Sequence, residues 1–362
     1  MLKAPFPWFG GKSRVAHLVW ERFGVVKNYV EPFFGSGAVL LGRPDWESGM
    51  TETVCDADGY LCNFWRAVRV APDVVAEYAY WPANENDLHA RNFVLASKRE
   101  ELRALLEGDP RYFDAELAGW WVWGICLWIG GEWATLNGPW TVIDQKLVKV
   151  DSRGESGVER SRQVLGNSGS GVHAKGIQRR NIAQTGGFGL GVQKRLLHLS
   201  SGGQGTFRSD RLESLKDWFR DLCYRLERVR VCCGDWKRVT GESVTVKHGL
   251  TALFLDPPYE PEGRDGRCYL HDSNVWAEVW PWALENGSNP LLRIALAGYE
   301  GEVGNKLVEA GWLELPWKSQ GGYGAGMGKR GEANRTRERL WFSPHCLKPS
   351  NAEQMDLLGG TL

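Results

Sequence analysis

Residues 28–41 read NYVEPFFGSGAVLL. The apolar and aromatic run over 28–34 predicts a strand that enters the glycine turn Gly35-Ser36-Gly37, and AVLL then continues as helix. Glycine at such a turn lets a ligand approach bare backbone, although strand-to-helix turns also use glycine for geometry alone. Some 20 residues further on, TETVCDADG predicts a second short strand, followed by the helical stretch LCNFWRAVRVAP. This β-α-β-α rhythm implies an α/β fold: a Rossmann-like parallel sheet with helices on both faces. Asp56 ends the second strand 19 residues beyond Gly37. In dinucleotide-type sites an acid at that place takes the ribose hydroxyls.

Outward from this unit, polar and apolar residues alternate at helical spacing over 84–118, most clearly in EELRALLEG. Composition then shifts. Residues 160–209 carry eight basic residues and no Asp or Glu among many Gly, Ser, Gln and Asn; the eight are Arg160, Arg162, Lys175, Arg179, Arg180, Lys194, Arg195 and Arg208. SDRLESLKDWFRDLCYRLERV restores a helical pattern, and VRVCCGDW, LTALFLDPPY, LLRIALAGY and RLWFSP read as further strands. The expected organisation is a sheet-forming domain from 1–83 and 212–346, a helical and basic Gly-rich insert over 84–211, and a flexible tail over 347–362.

The bulk numbers narrow the function. With 44 Lys+Arg against 44 Asp+Glu in 362 residues, the whole molecule offers no net field to a polyanion, so any attraction must come from the insert. Eight cysteines without a CxxC pair imply small buried hydrophobes in a reducing compartment, with neither zinc nor disulfides expected. No apolar signal core opens the chain, and the longest apolar run, Trp120 to Ile129, is well short of the roughly 20 residues a span needs. A cytoplasmic protein is expected. In PWFGGKS (7–13) the GKS triplet invites a phosphate-loop reading, but Phe6 stands where that loop needs glycine and no strand precedes it. The plain alternative there is an ordered turn with a solvated Lys12.

ALFLDPPYEPEGR (252–264) holds the most informative chemistry. Four apolar residues predict a strand covered on both faces, and Asp256 follows at its carboxyl end. Pro257 and Pro258 hold the backbone stiff and extended. The Asp256 carboxylate and the Pro257 carbonyl can then both accept hydrogen bonds from one amino group. On a nucleobase that amine is flat because its lone pair is delocalised into the ring. Two acceptors outside the plane would pull it toward a nucleophilic, pyramidal nitrogen, and Tyr259 offers a face on which an extruded base could stack. A strand-ending turn is the plain reading of Asp-Pro-Pro, as Gly-Asp in CCGDW is for Asp235.

In order, WFGGK (8–12), EPFFGSGAV (31–39), CDAD (55–58), GDW (234–236) and LDPPY (255–259) resemble the motifs of DNA adenine N6-methyltransferases of the Dam and phage T4 Dam type. The resemblance covers roughly 1–65 and 215–345, and it implies that 1–83 with 212–346 is the catalytic domain and 84–211 the target-recognition insert. It also implies S-adenosyl-L-methionine as cofactor, bound by Trp8, Lys12, Phe33, Gly35, Gly37, Asp56, Asp235, Trp236 and Asp256. Asp256, Pro257, Pro258 and Tyr259 would form the catalytic set, with no metal. A monomer acting on double-stranded DNA is expected, with the eight basic residues of the insert on phosphates. WWVWGICLWIGGEWATLNGPW (120–140) looks like a tryptophan-rich version of the family's stretch leading into target recognition, but it lacks the family's Phe-Asn-Gly; a core role for these tryptophans is an equal alternative. Cytosine N4 methylation, an RNA substrate and a non-catalytic DNA-binding protein are the rival readings.

Overall fold

The structure is a computed structural model and describes residues 2–8, 11–46, 49–128, 133–135, 140–143, 146–149, 209–258, 275–317 and 337–348. Tyr259, the eight basic residues of the insert and the tail beyond 348 lie outside the described residues.

The strands are β1 (Asn28–Glu31), β2 (Thr51–Asp56), β3 (Trp140–Ile143), β4 (Lys146–Lys149), β5 (Val229–Cys233), β6 (Thr251–Leu255), β7 (Leu292–Tyr299), β8 (Leu313–Pro316) and β9 (Glu338–Phe342). Seven of them form one sheet in the order β5-β2-β1-β6-β7-β9-β8. From β5 to β7 all pairings are parallel, and β9 enters antiparallel between β7 and β8. β3 and β4 make a separate antiparallel pair.

Alternate residues of the central strands feed two cores. Tyr29, Val54, Ala252, Phe254, Ala295 and Ala297 pack on one face of the sheet. Val30, Cys55, Leu253, Leu255, Ile294 and Leu296 pack on the other. Burial on both faces is why ALFL (252–255) reads as an unbroken apolar run, since each fully buried large side chain contributes about 1.5–3 kcal/mol wherever it points.

The helices are α1 (Ala16–Phe23), α2 (Ala38–Leu41), α3 (Gly59–Val70), α4 (Pro72–Ala79), α5 (Glu85–Gly108), α6 (Ala115–Leu127), α7 (Ser209–Leu226), α8 (Val275–Asn286) and α9 (Glu302–Glu309). Capping sets several of their starts. Asp58 accepts from the Tyr60 and Leu61 amides at α3, Asn84 from the Asp87 amide at α5 and Asp114 from the Leu117 amide at α6. The helix after the glycine turn is only four residues long. α5 and α6 pack on α3, and α6 also packs on α4. Among the described residues no helix is long and apolar enough to cross a membrane.

The tryptophans of 120–133 serve the core. Trp121, Trp123, Trp128 and Trp133 are buried, and Trp121 meets Phe6 and Phe64 with ring centroids 5.1 and 5.8 Å away. Gly124 is needed there because a Cβ would stand 1.8 Å from the Trp133 ring. Of the described cysteines, Cys55, Cys62, Cys126, Cys233 and Cys346 are buried.

Candidate active site at the carboxyl edge of the sheet

Chain order reverses between β1 and β6: β1 leads to β2 on one side, whereas β6 lies on the other. A crevice opens beyond the carboxyl ends of strands at such a switch point, and ligands of open α/β sheets bind there. Val30 is in register with Leu253, so the chain leaving β1 toward Phe33 and the chain leaving β6 at Asp256 emerge side by side.

Lys12 closes this gap from the N-terminal segment. Its Nζ lies 2.8 Å from Asp256 Oδ2, with the lysine side chain 4% exposed and the aspartate 21%. The solvated alternative for Lys12 is therefore excluded: a buried ammonium needs a partner, and the carboxylate at the end of β6 supplies it. Pro257 is buried and Pro258 half-buried.

The glycine turn forms the neighbouring wall. Gly35 has φ +48° and Gly37 φ +64°, in the left-handed region that side chains disfavour. Space forbids substitution as well. A Cβ on Gly35 would meet Trp8 Nε1 at 2.5 Å, and one on Gly37 would meet the Phe34 ring at 2.7 Å. Trp8 thus lies directly on the turn, which the Trp65 indole also ties down by donating to the Gly35 carbonyl at 3.1 Å.

Asp56 faces that turn. Its Oδ2 accepts from the Gly35 amide at 2.9 Å and its Oδ1 from the Asp58 amide at 3.0 Å. Burial pushes the Asp56 carboxyl up to about 6, against the pull of these backbone amides. Beyond it, Trp236 is buried, with the Phe33 ring 6.3 Å away and the Trp282 ring 5.8 Å away. Asp235 is exposed and caps a short 3-10 turn by accepting from the Lys237 amide at 2.8 Å. Trp8, Lys12, Phe33, Gly35, Gly37, Asp56, Asp235, Trp236, Asp256, Pro257 and Pro258 therefore all sit along one edge of the sheet.

Two residues that sequence reasoning passed over also belong there. Glu31 ends β1, is 2% exposed and accepts from the Tyr29 hydroxyl at 2.7 Å. Burial first, then the charges of Asp256 and Asp56, hold its carboxyl well above the usual range. The acid in EPFF was its only signal. Trp317 follows β8, and Lys12 Nζ stands 5.3 Å from its ring centroid. Nothing local in LPWK marks that tryptophan.

The parallel sheet, its switch point and this row of residues define a Rossmann-like α/β fold of the methyltransferase kind. Residues 8–103, about a quarter of the chain, match the model of the D12 class N6 adenine-specific DNA methyltransferases. The matched stretch holds Trp8, Lys12, the glycine turn and Asp56, while Asp235, Trp236 and Asp256 lie beyond it. No curated protein matches the chain.

Proposed function

We propose that this enzyme takes the methyl group from S-adenosyl-L-methionine and places it on N6 of an adenine extruded from double-stranded DNA. The observation that carries the proposal is the Lys12–Asp256 ion pair, set beside the glycine turn at the switch point.

The residues suit the cofactor. Each Asp56 oxygen takes one backbone amide and keeps acceptor capacity for ribose hydroxyls. The Trp236 indole N–H is buried without a hydrogen-bond partner among the described residues, in keeping with a polar ligand beside it. Trp8, Phe33, Gly35 and Gly37 would enclose the methionine end, and Asp235 and Trp236 would flank the adenine. When bound, S-adenosyl-L-methionine supplies a methyl group made electrophilic by its sulfonium.

Asp256 would accept from the target N6 amine together with the Pro257 carbonyl, localising the nitrogen lone pair. Lys12 fixes the carboxylate for that task. An amine already carries its lone pair, so no strong base is needed before attack. Pro258 keeps the segment stiff, and Tyr259 would stack on the extruded base, offsetting a cost of a few kcal/mol. Arg160, Arg162, Lys175, Arg179, Arg180, Lys194, Arg195 and Arg208 would neutralise phosphates, making binding salt-dependent.

The test is incubation with unmethylated genomic DNA and methyl-labelled cofactor, followed by nucleoside analysis. Label in N6-methyladenine is expected. Label confined to N4-methylcytosine, or none, would overturn the reading.

A further inference from the structure

Several buried indole N–H groups among the described residues have an acceptor. Trp20 donates to the Val39 carbonyl at 2.7 Å, Trp65 to Gly35 at 3.1 Å, Trp123 to Trp81 at 2.9 Å, Trp133 to Trp121 at 3.0 Å and Trp341 to Glu314 Oε2 at 2.9 Å. Trp236 and Trp317 have buried Nε1 atoms with no partner among the described residues. Both flank the carboxyl edge of the sheet. Trp236 follows β5 at the end proposed for the cofactor, and Trp317 follows β8 at the opposite end.

Trp317 is 8% exposed, and its amide donates to the Glu338 carbonyl at 3.3 Å, which ties it to the start of β9. β8 runs parallel to β7 and β6, because β9 is antiparallel to both β7 and β8. Its end therefore lies on the same edge as Asp256. One lysine joins the two: Lys12 Nζ is 2.8 Å from Asp256 Oδ2 and 5.3 Å from the Trp317 ring centroid. The indole face thus holds the ammonium that holds the carboxylate.

We infer that Trp317 selects the target base, its indole N–H donating to the unprotonated ring nitrogen next to the amine that Asp256 accepts. The inference rests on the function proposed above and extends it to the choice of base. An acceptor beside a donor is complementary to an amine next to a bare ring nitrogen, the pattern adenine offers at N6/N1 and N6/N7. Guanine at O6/N1–H and thymine at O4/N3–H present the reverse order. For them the carboxylate would face a carbonyl and the indole an N–H, leaving buried groups unpaired, which is how polar sites reject analogues. Cytosine shares adenine's pattern, so this pair separates amino bases from keto bases, and pocket size must do the rest.

Once the methylated site has been mapped, oligonucleotides carrying it with adenine, 1-deazaadenine or 7-deazaadenine at the target test the inference. Trp317→Phe keeps a ring for Lys12 and removes only the N–H. It should lower kcat/KM on adenine about tenfold, with cofactor Kd and melting temperature unchanged. Wild-type enzyme should lose a similar factor on one of the two deaza analogues, and Trp317→Phe should lose nothing further on that analogue. Wild-type kcat/KM in Trp317→Phe, or losses that multiply on both analogues, would overturn the inference. Should Trp317→Phe not fold, the wild type alone decides, because equal rates on adenine and both analogues sink the idea. A wild-type enzyme that methylates no adenine would instead defeat the proposed function.

Discussion

Glu52 and Asp56 stand four residues apart on the same face of β2, and their surroundings differ completely. Glu52, at the amino end, takes both Arg225 Nη1 and Nη2 at 2.8 Å and Arg43 Nη1 at 2.7 Å. Arg225 also donates to the Leu40 carbonyl at 2.8 Å. All three charged side chains are buried there. Asp56, at the carboxyl end, takes two backbone amides and, among the described residues, no basic side chain. At one end of the strand, charge is spent on holding β2, α2 and α7 together. At the other, acceptor capacity is left open and the carboxyl is pushed up to about 6 by burial. A cation on Asp56 would occupy the lone pairs that the proposed ribose contact uses.

Substitutions at the two ends should therefore separate activity from stability. Asp256→Ala should lower turnover per folded molecule by about 10³-fold with cofactor affinity near wild type; because Lys12 loses its partner, the melting temperature should also fall, but by less than in Glu52→Gln, since Asp256 is partly exposed. A loss of stability matching the loss of rate would show that the carboxyl edge is structural after all. Glu52→Gln, by contrast, leaves two buried guanidinium groups short of charge and should destabilise by about 3–5 kcal/mol, read as a lower denaturation midpoint. Its turnover per folded molecule should be unchanged; a specific loss of rate would break the division between the two ends.

The smallest effect is one of pH. In the proposed function ribose hydroxyls would donate to the ionised Asp56, so cofactor affinity should be flat above about pH 6 and weaken below it, by at most about tenfold per pH unit. In the ligand-free protein the sign is opposite. The folded-state value lies above the usual 3.8, so burial of the ionised carboxylate opposes folding above about pH 6. That penalty fades as pH falls toward the unfolded-state value. Calorimetric titration of cofactor binding across pH 5 to 8, repeated with Asp56→Asn, checks the first statement. A pH dependence that survives the substitution would assign the proton to another group.

Legibility in the sequence followed the range of the interaction. β6 and β7 were readable because burial on both faces leaves a largely apolar run, and β1, β2, β5 and β9 because each carries enough apolar residues of its own beside a turn signal. The helix starts at Asp58 and Asp114 rest on contacts two or three residues away. β8 was not readable, because LELP is four residues long and becomes a strand only by pairing with β9. The β3–β4 pair inside the expected insert was missed for the same reason. Asp235 follows the carboxyl end of β5, yet its visible contact is the turn cap that the plain reading of Gly-Asp also suggests.

By itself, the sequence determined that a parallel α/β sheet forms, that glycines open a turn after the first strand, and that acids end its second and fourth parallel strands. These are properties of residue type and short spacing. Only the tertiary structure decided that Lys12 is buried against Asp256, that Trp317 reaches the same lysine, and that Glu31 lies buried among them with its carboxyl held above the usual range. Those contacts join segments from opposite ends of the chain. They exist because the order of strands in the sheet brings three carboxyl ends to one edge, and strand order leaves no local mark on composition.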